Sequence, residues 1–353
     1  MSVLNVVKGG VFSTARRIGL MSGVADSGWR RQRLLILCYH GIAMDDEHEW
    51  NGGLYVPQRH LRQRFEFLRS GGYSVLPLDE GVRRLYDGTL PQKAVTLTFD
   101  DGAYDFYACA LPLLREFGFP ATVYVPTYYV GFQRPVFDPM IAYLAWKGRN
   151  HAPVAPDGIA AGTLPLAVST SEEREATVAR IGAMTLDGGF DGPAKDDIAR
   201  LFAERLSVDY DALLARRFLH LMTADELRES AAAGIDIQLH THRHRVPDDA
   251  VLFRREIDDN RRELQRILGD TRPTRHFCYP SGEYRSSFLP WLKAADVATA
   301  TTCDPGIATS SSDPLMLPRF IDTSAQSPEA FEAWASGFAE LLPRRTRRAQ
   351  LAG

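Results

Sequence analysis

Sulfur is scarce in this sequence. The 353 residues carry four cysteines, Cys38, Cys109, Cys278 and Cys303, widely spaced and never as C-x-x-C. Such spacing argues against a thiolate zinc site and gives no disulfide framework, so buried free thiols are expected. An excess of one charge is also missing: the formal net charge is -3, which gives no general attraction to nucleic acid or to an anionic bilayer. No apolar run reaches the roughly 18 residues of a spanning helix. The opening stretch mixes Lys8, Arg16 and Arg17 with scattered apolar positions and lacks the continuous apolar region of a secretion signal. A cytoplasmic or peripheral-membrane protein is the resulting expectation. What is present, 45% hydrophobic and 10% aromatic content, suffices for a large core.

In chain order, strand and helix signals alternate. Apolar runs predict strands at about 34–39, 73–76, 94–99, 121–125, 235–239, 276–279 and 297–301. Helical spacing and capping residues predict helices over about 61–70, 78–86, 105–117, 223–234, 248–268 and 284–294, and a closing helix that Ser327 and Pro328 begin. The alternation implies an α/β frame. From about 131 to 221 it fades among prolines, alanines and glycines, with a polar helix from near Ser171, and this is read as a mostly helical or irregular insertion. The plan is then an N-terminal extension over 1–32, one domain over 33–340 that contains the insertion, and a basic tail over 341–353 with Arg344-Arg345-Thr346-Arg347-Arg348 solvated. Val3, Val7, Val11 and Ile18 suggest an amphipathic helix in the extension, capping the domain in preference to touching a membrane.

Three strands stop at ionisable residues. The run from Ala94 to Phe99 ends in Asp100-Asp101-Gly102, the first strand ends in His40-Gly41, and the strand at 235–239 ends in His240. Adjacent carboxylates repel unless a cation or a shared proton relieves them, so the pair points to a metal or a coupled acid/base site. A surface turn or a helix N-cap is the plain alternative for those three residues. In His240-Thr241-His242-Arg243-His244 the imidazoles at i and i+4 suit a divalent metal, although a histidine cluster alone also fits a polar turn. Taken together, the two stretches outline a two-histidine, one-carboxylate site with a position left open for water.

T-F-D-D-G at 98–102, H-T-x-x-H at 240–244, Y-P-x-G at 279–282 and Y-H-G-I at 39–42 resemble the motifs of the polysaccharide deacetylases, the NodB-like group also called carbohydrate esterase family 4. The likeness covers about 33–130 and 222–338, in the family's order. It implies a distorted (β/α) barrel that removes acetyl groups from N-acetylated sugars with one divalent ion, most often Zn2+. Carried over by motif, Asp101, His240 and His244 would bind the metal and Asp100 would be the general base. Tyr279, Pro280 and Gly282 would shape the backbone that meets the substrate oxyanion. Leu317-Pro318-Arg319 stands where many relatives carry L-x-H, so His40 is expected as general acid, with His242 as competitor. Arg319 is expected beside the substrate or paired with Asp100, against a surface salt bridge. Tyr104, Tyr284 and Trp291 are groove candidates or core aromatics. His60, His220 and His276 are read as structural.

The reading is therefore a metal-dependent N-deacetylase of a polysaccharide, oligosaccharide or lipid-linked glycan. A hydrolase of a non-sugar amide or O-acetyl ester is the second reading. A silent carbohydrate-binding protein is the third, and it would be expected to have lost Asp100 or a ligand.

Overall fold

The computed structural model describes residues 3–269 and 273–343, with side chains from residue 10 onward. Its strands are β1 (Arg33–Tyr39), β2 (Gly41–Ala43), β3 (Tyr55–Pro57), β4 (Ser74–Val75), β5 (Ala94–Phe99), β6 (Thr122–Val125), β7 (Asp236–Leu239), β8 (His276–Cys278), β9 (Thr299–Thr301), β10 (Ala308–Thr309) and β11 (Phe320–Ile321). One mixed sheet runs in the order β10-β1-β5-β6-β7-β8-β9, with β11 added to β1 and β4 to β5. Only β10 is antiparallel within it. Leu317 bridges Thr301 in parallel and Phe320 pairs with Leu37, so the segment 317–321 spans from β9 back to β1 and curls the sheet into a distorted barrel. β2 and β3 form a separate parallel pair.

The period of two along each strand sorts side chains between two environments. Leu35, Leu37, Tyr39, Val95, Leu97, Phe99, Val123, Val125, Ile237 and Leu239 belong to the large core beneath the surrounding helices. Leu34, Ile36, Tyr124 and Cys278 belong to a smaller cluster on the opposite, inner face. His40, Asp100 and His240 continue that inner alternation one step past the ends of β1, β5 and β7. The fold therefore aims the three ionisable strand ends into one place.

The insertion contains helices Phe137–Lys147, Ser171–Asp187, Gly192–Arg205 and Tyr210–Ala215, with its own core around Leu144, Ile181 and Phe202. Its C-terminal end is tied to the loop after β5: the Tyr104 N–H donates to His220 O at 2.8 Å and the Met222 N–H to Gly102 O at 3.0 Å. These bonds bring the insertion to the mouth of the barrel.

Several local expectations change. The helix expected over 105–117 opens as a π-helix, Phe106–Ala110, before the α-helix Leu111–Phe117, and the one expected from Tyr284 is helical only over Phe288–Ala294. Strands β2, β3, β10 and β11 are two or three residues long, too short to show a period. The N-terminal helix Val3–Arg17 packs through Phe12 and Ala15 against Ala333 and Phe338, while Val11 is 40% and Ile18 70% exposed. The capping face is thus one residue round from the expected stripe, and Ile18 lies past the helix end. The basic run at 344–348 lies outside the described residues. Among the described residues no helix is long and apolar enough to cross a membrane.

Candidate active site

The loop after β5 turns through two left-handed residues, Asp101 at φ 69° and Gly102 at φ 61°. A Cβ on Gly102 would lie 3.0 Å from Val125 Cγ1, so glycine is needed there for both conformation and space. Thr241 (φ 58°), His244 (φ 54°) and Ser281 (φ 56°) are also left-handed, which concentrates backbone strain of the kind found at functional sites around one point. The histidine loop is clamped from the helix Ala250–Leu268. Buried Asn260 accepts the His240 N–H at 2.9 Å and donates to Val125 O at 2.9 Å, and buried Glu256 accepts the Arg243 N–H at 2.8 Å and Arg245 Nε at 3.0 Å.

His240 Nε2 lies 3.1 Å and His244 Nε2 3.2 Å from the same oxygen, Asp101 Oδ1. His240 Nδ1 is 2.9 Å from Cys278 O, so it carries the proton and leaves Nε2 as the free lone pair facing the carboxylate. Burial opposes ionisation of Asp101, but the His240 and His244 imidazoles against it hold it well below the usual carboxylate range. At His244 burial lowers basicity, and the Asp101 bond outweighs this and raises it. One carboxylate oxygen and two imidazole nitrogens converge within 4.8 Å of one another, a donor set that fits a borderline divalent ion. A divalent ion held by these three side chains should be lost in His240→Ala; full zinc stoichiometry by elemental analysis in that variant would remove His240 from the candidate ligands.

Asp100, 3% exposed, lies beside this triad, with a carboxylate oxygen within 4.8 Å of a His240 nitrogen and of the Cys278 sulfur. Arg319, wholly buried, grips it with two bonds of 2.7 Å, Nη1 to Oδ1 and Nη2 to Oδ2. Arg319 also donates from Nε to Thr302 O at 2.9 Å and from Nη1 to Thr98 Oγ1 at 3.2 Å. Burial works against the Asp100 charge, yet the guanidinium beside it holds the carboxyl well below its ordinary range. His40 Nε2 stands 3.6 Å from Asp100 Oδ2, and His40 Nδ1 is buried with no partner among the described residues. Cys38 and Cys278 point their sulfurs at Asp100 Oδ2, at 3.6 and 3.3 Å, and Cys303 lies 3.7 Å from Arg319. Three cysteines far apart in sequence therefore surround one ion pair as free thiols.

Two cavities meet here. One of about 290 Å³ is lined by His40, Asp100, Asp101, His240, His244 and Ser281, and one of about 340 Å³ reaches from His40, Asp101 and His244 towards Tyr129, Asp138 and His220 of the insertion side. His40 thus opens on both. His242 opens on neither: its Nδ1 is 2.9 Å from Thr127 Oγ1 and its ring packs edge-on to Tyr128. Tyr279 lines the smaller cavity, although its side chain is buried and its hydroxyl donates to Leu315 O at 3.0 Å. Pro280 is buried, and Gly282 (φ 67°) admits the close approach of Cys303, whose Cβ would sit 2.7 Å from an added Cβ. Other groove candidates lie elsewhere. Arg319 stands behind Asp100, out of reach of a substrate; Tyr104 lies under the Arg217 guanidinium at 3.9 Å and lines neither cavity. Tyr284 bonds to Asp304 at 2.5 Å, and Trp291 packs on Phe253 and Phe288.

Sequence reasoning passed over Asp105, which lines the larger cavity, is 5% exposed and accepts the Ile42 N–H at 3.1 Å. Its place four residues after Asp101, at the start of a helical segment, was the available signal. Burial, with Glu47 and Asp101 nearby, pushes its carboxyl up to about 8. A carboxyl raised in the folded state costs nothing while both states are protonated, below about pH 4, and costs progressively more up to its folded value. In chelator-treated protein Asp105→Asn should therefore raise the melting temperature more at about pH 8 than at about pH 5. Equal shifts at both values would mean that Asp105 is already ionised in the fold.

A family model described as polysaccharide deacetylase matches residues 87–151 and 201–300. Poly-beta-1,6-N-acetyl-D-glucosamine N-deacetylase of Escherichia coli (strain K12) is 33% identical over 100 residues, which is 28% of this chain and 14% of that protein. The chain thus spans only a small part of that relative. Among solved structures, the deacetylase PplD of Streptococcus pyogenes in complex with acetate aligns with TM-score 0.56 at 21% identity, covering 84% of this chain and 96% of its own. IcaB from Ammonifex degensii aligns with TM-score 0.55 at 18% identity over 86% and 97%. At those identities the likeness concerns the fold.

Proposed function

This chain belongs to the polysaccharide deacetylase family, and from that premise we propose that it hydrolyses the N-acetyl groups of amino sugars in a glycan, using a divalent ion, most often zinc in such sites. The observation that carries the reading is the convergence of Asp101, His240 and His244 on one point with Asp100 and His40 against the same cavity. The named activity of the Escherichia coli relative supports an N-acetylglucosamine polymer as the substrate class.

Asp101 Oδ1, His240 Nε2 and His244 Nε2 would hold the ion, which when bound supplies Lewis acidity to the acetamide carbonyl and acidity to a water molecule. Asp100, kept ionised by Arg319, accepts the proton of the attacking water at Oδ2, the oxygen nearest His40. As the C–N bond breaks, His40 Nε2 delivers a proton to the leaving nitrogen, and acetate and a free amine result. His40 meets both cavities and His242 neither, which favours His40 for this role. His40→Ala should lower the rate about a hundredfold with metal content unchanged. A variant at normal rate would move the role to another group or to water.

Acetate release, followed by mass spectrometry on a panel of N-acetylated and O-acetylated glycans with and without chelator, tests the reading. Loss of acetyl groups from N-acetylated members alone, abolished by chelator, is expected. Release only from O-acetyl esters, or unchanged release with chelator, would overturn it.

A further inference from the structure

Directly after β6 the chain turns outward through Tyr128, Tyr129 and Phe132, which are 42%, 36% and 49% exposed. Large aromatics standing in solvent together are uncommon unless something covers them. These three are held in a fixed arrangement. The Tyr128 ring lies 5.1 Å from that of Tyr129 and 5.3 Å from that of Phe132. The Tyr128 N–H donates to His242 O at 2.8 Å, Thr127 bonds to Asn260, and Val130 is buried in the main core beneath them. The patch is therefore anchored to the loop that carries His240 and His244. Through Tyr129 it is continuous with the larger cavity, whose far wall is His40, Asp101 and His244.

We propose that Tyr128, Tyr129 and Phe132 form a stacking platform for the sugar residues that flank the reacting one, so that the enzyme acts on sugars within a chain. This rests on the deacetylase reading above and adds the residues that would bind the chain on either side of the reacting sugar. A pyranose ring offers a flat face of C–H groups with hydroxyls at its rim, which matches an aromatic surface bordered by polar side chains. The Arg243 guanidinium, 5.6 Å from the Tyr128 ring, and Asp138 in the cavity wall supply that border. Because the loop is pinned from below, little side-chain freedom remains to be lost on binding.

The experiment compares kcat/KM on a long N-acetylated oligosaccharide with that on the disaccharide, for wild type, Tyr128→Ala/Phe132→Ala and Tyr128→Phe. The ratio of long to short should fall about tenfold in the double variant, and Tyr128→Phe should keep it. A ratio unchanged in the double variant, or a loss equal at both lengths, overturns the platform. Calorimetric titration of the long oligosaccharide into Asp100→Asn, with and without the two alanine substitutions, separates this from the function itself. If no glycan is deacetylated by wild type, the reading of activity fails. The platform then stands on weaker binding in the triple variant and falls on equal or absent binding.

Discussion

Asp100→Asn should abolish turnover, by about a thousandfold or more, while leaving the metal content of the protein intact. Both halves follow from the asymmetry of the two aspartates. Asp101 presents Oδ1 to both imidazoles, whereas Asp100, which also approaches His240, has both oxygens bonded to Arg319. Removing the Asp100 charge takes away the acceptor for the water proton without touching the three donor atoms that would hold the ion. Asparagine is close in shape, so the cavity is preserved, but its amide cannot accept that proton. The substitution also leaves the Arg319 charge buried without its counterion, so rates must be compared well below the variant's melting temperature. Acetate release per bound metal is the quantity to read. A rate near that of wild type at full metal occupancy would remove Asp100 from the proton-transfer role.

The strand ends were legible because they break a rule: apolar, β-branched runs stopping at Asp100, His40 and His240 have no packing reason to do so. Their mutual position was not. It depends on register, with Leu35 opposite Val95 and Val123 opposite Ile237, and a slip of one residue would turn any one of them to the outer face. The α/β alternation showed the sheet and its helices, whereas the closing segment 317–321 is only two residues of strand and gave no signal. Arg319 illustrates the limit best. Its residue type suggested a partner for Asp100, but nothing in Leu317-Pro318-Arg319 says that it lies behind the carboxylate in the barrel interior instead of at the substrate. The cysteines were read as buried free thiols from their spacing alone, which said nothing of the ion pair that three of them line. Asn260 and Glu256, which clamp the histidine loop, looked like ordinary members of a charged helix. Long-range hydrogen bonds of this sort leave no local pattern.

Arg319→Ala should be the most destabilising single change at the site, by about 3–5 kcal/mol. Arg319 is fully buried, and its removal strips Asp100 of two charge-assisted bonds and leaves Thr302 O without the Nε donor. Burial of Asp100, no longer opposed by the guanidinium, then drives its carboxyl upward towards the neutral form. Stability and activity should therefore fall together, the activity most at low pH, where the raised carboxyl is protonated. Lysine is a poor substitute: it carries the charge but lacks the planar fork that reaches both oxygens, Thr98 and Thr302 at once. Replacing the whole pair distinguishes an ion pair that stabilises the barrel from one that is retained for chemistry. In chemical denaturation Asp100→Leu/Arg319→Met should be markedly more stable than Arg319→Ala, because no unpaired charge remains inside, and it should still be inactive. If Arg319→Ala unfolds within about 1 kcal/mol of wild type, cavity water takes the place of the guanidinium beside Asp100 and the pair contributes little to the stability of the barrel.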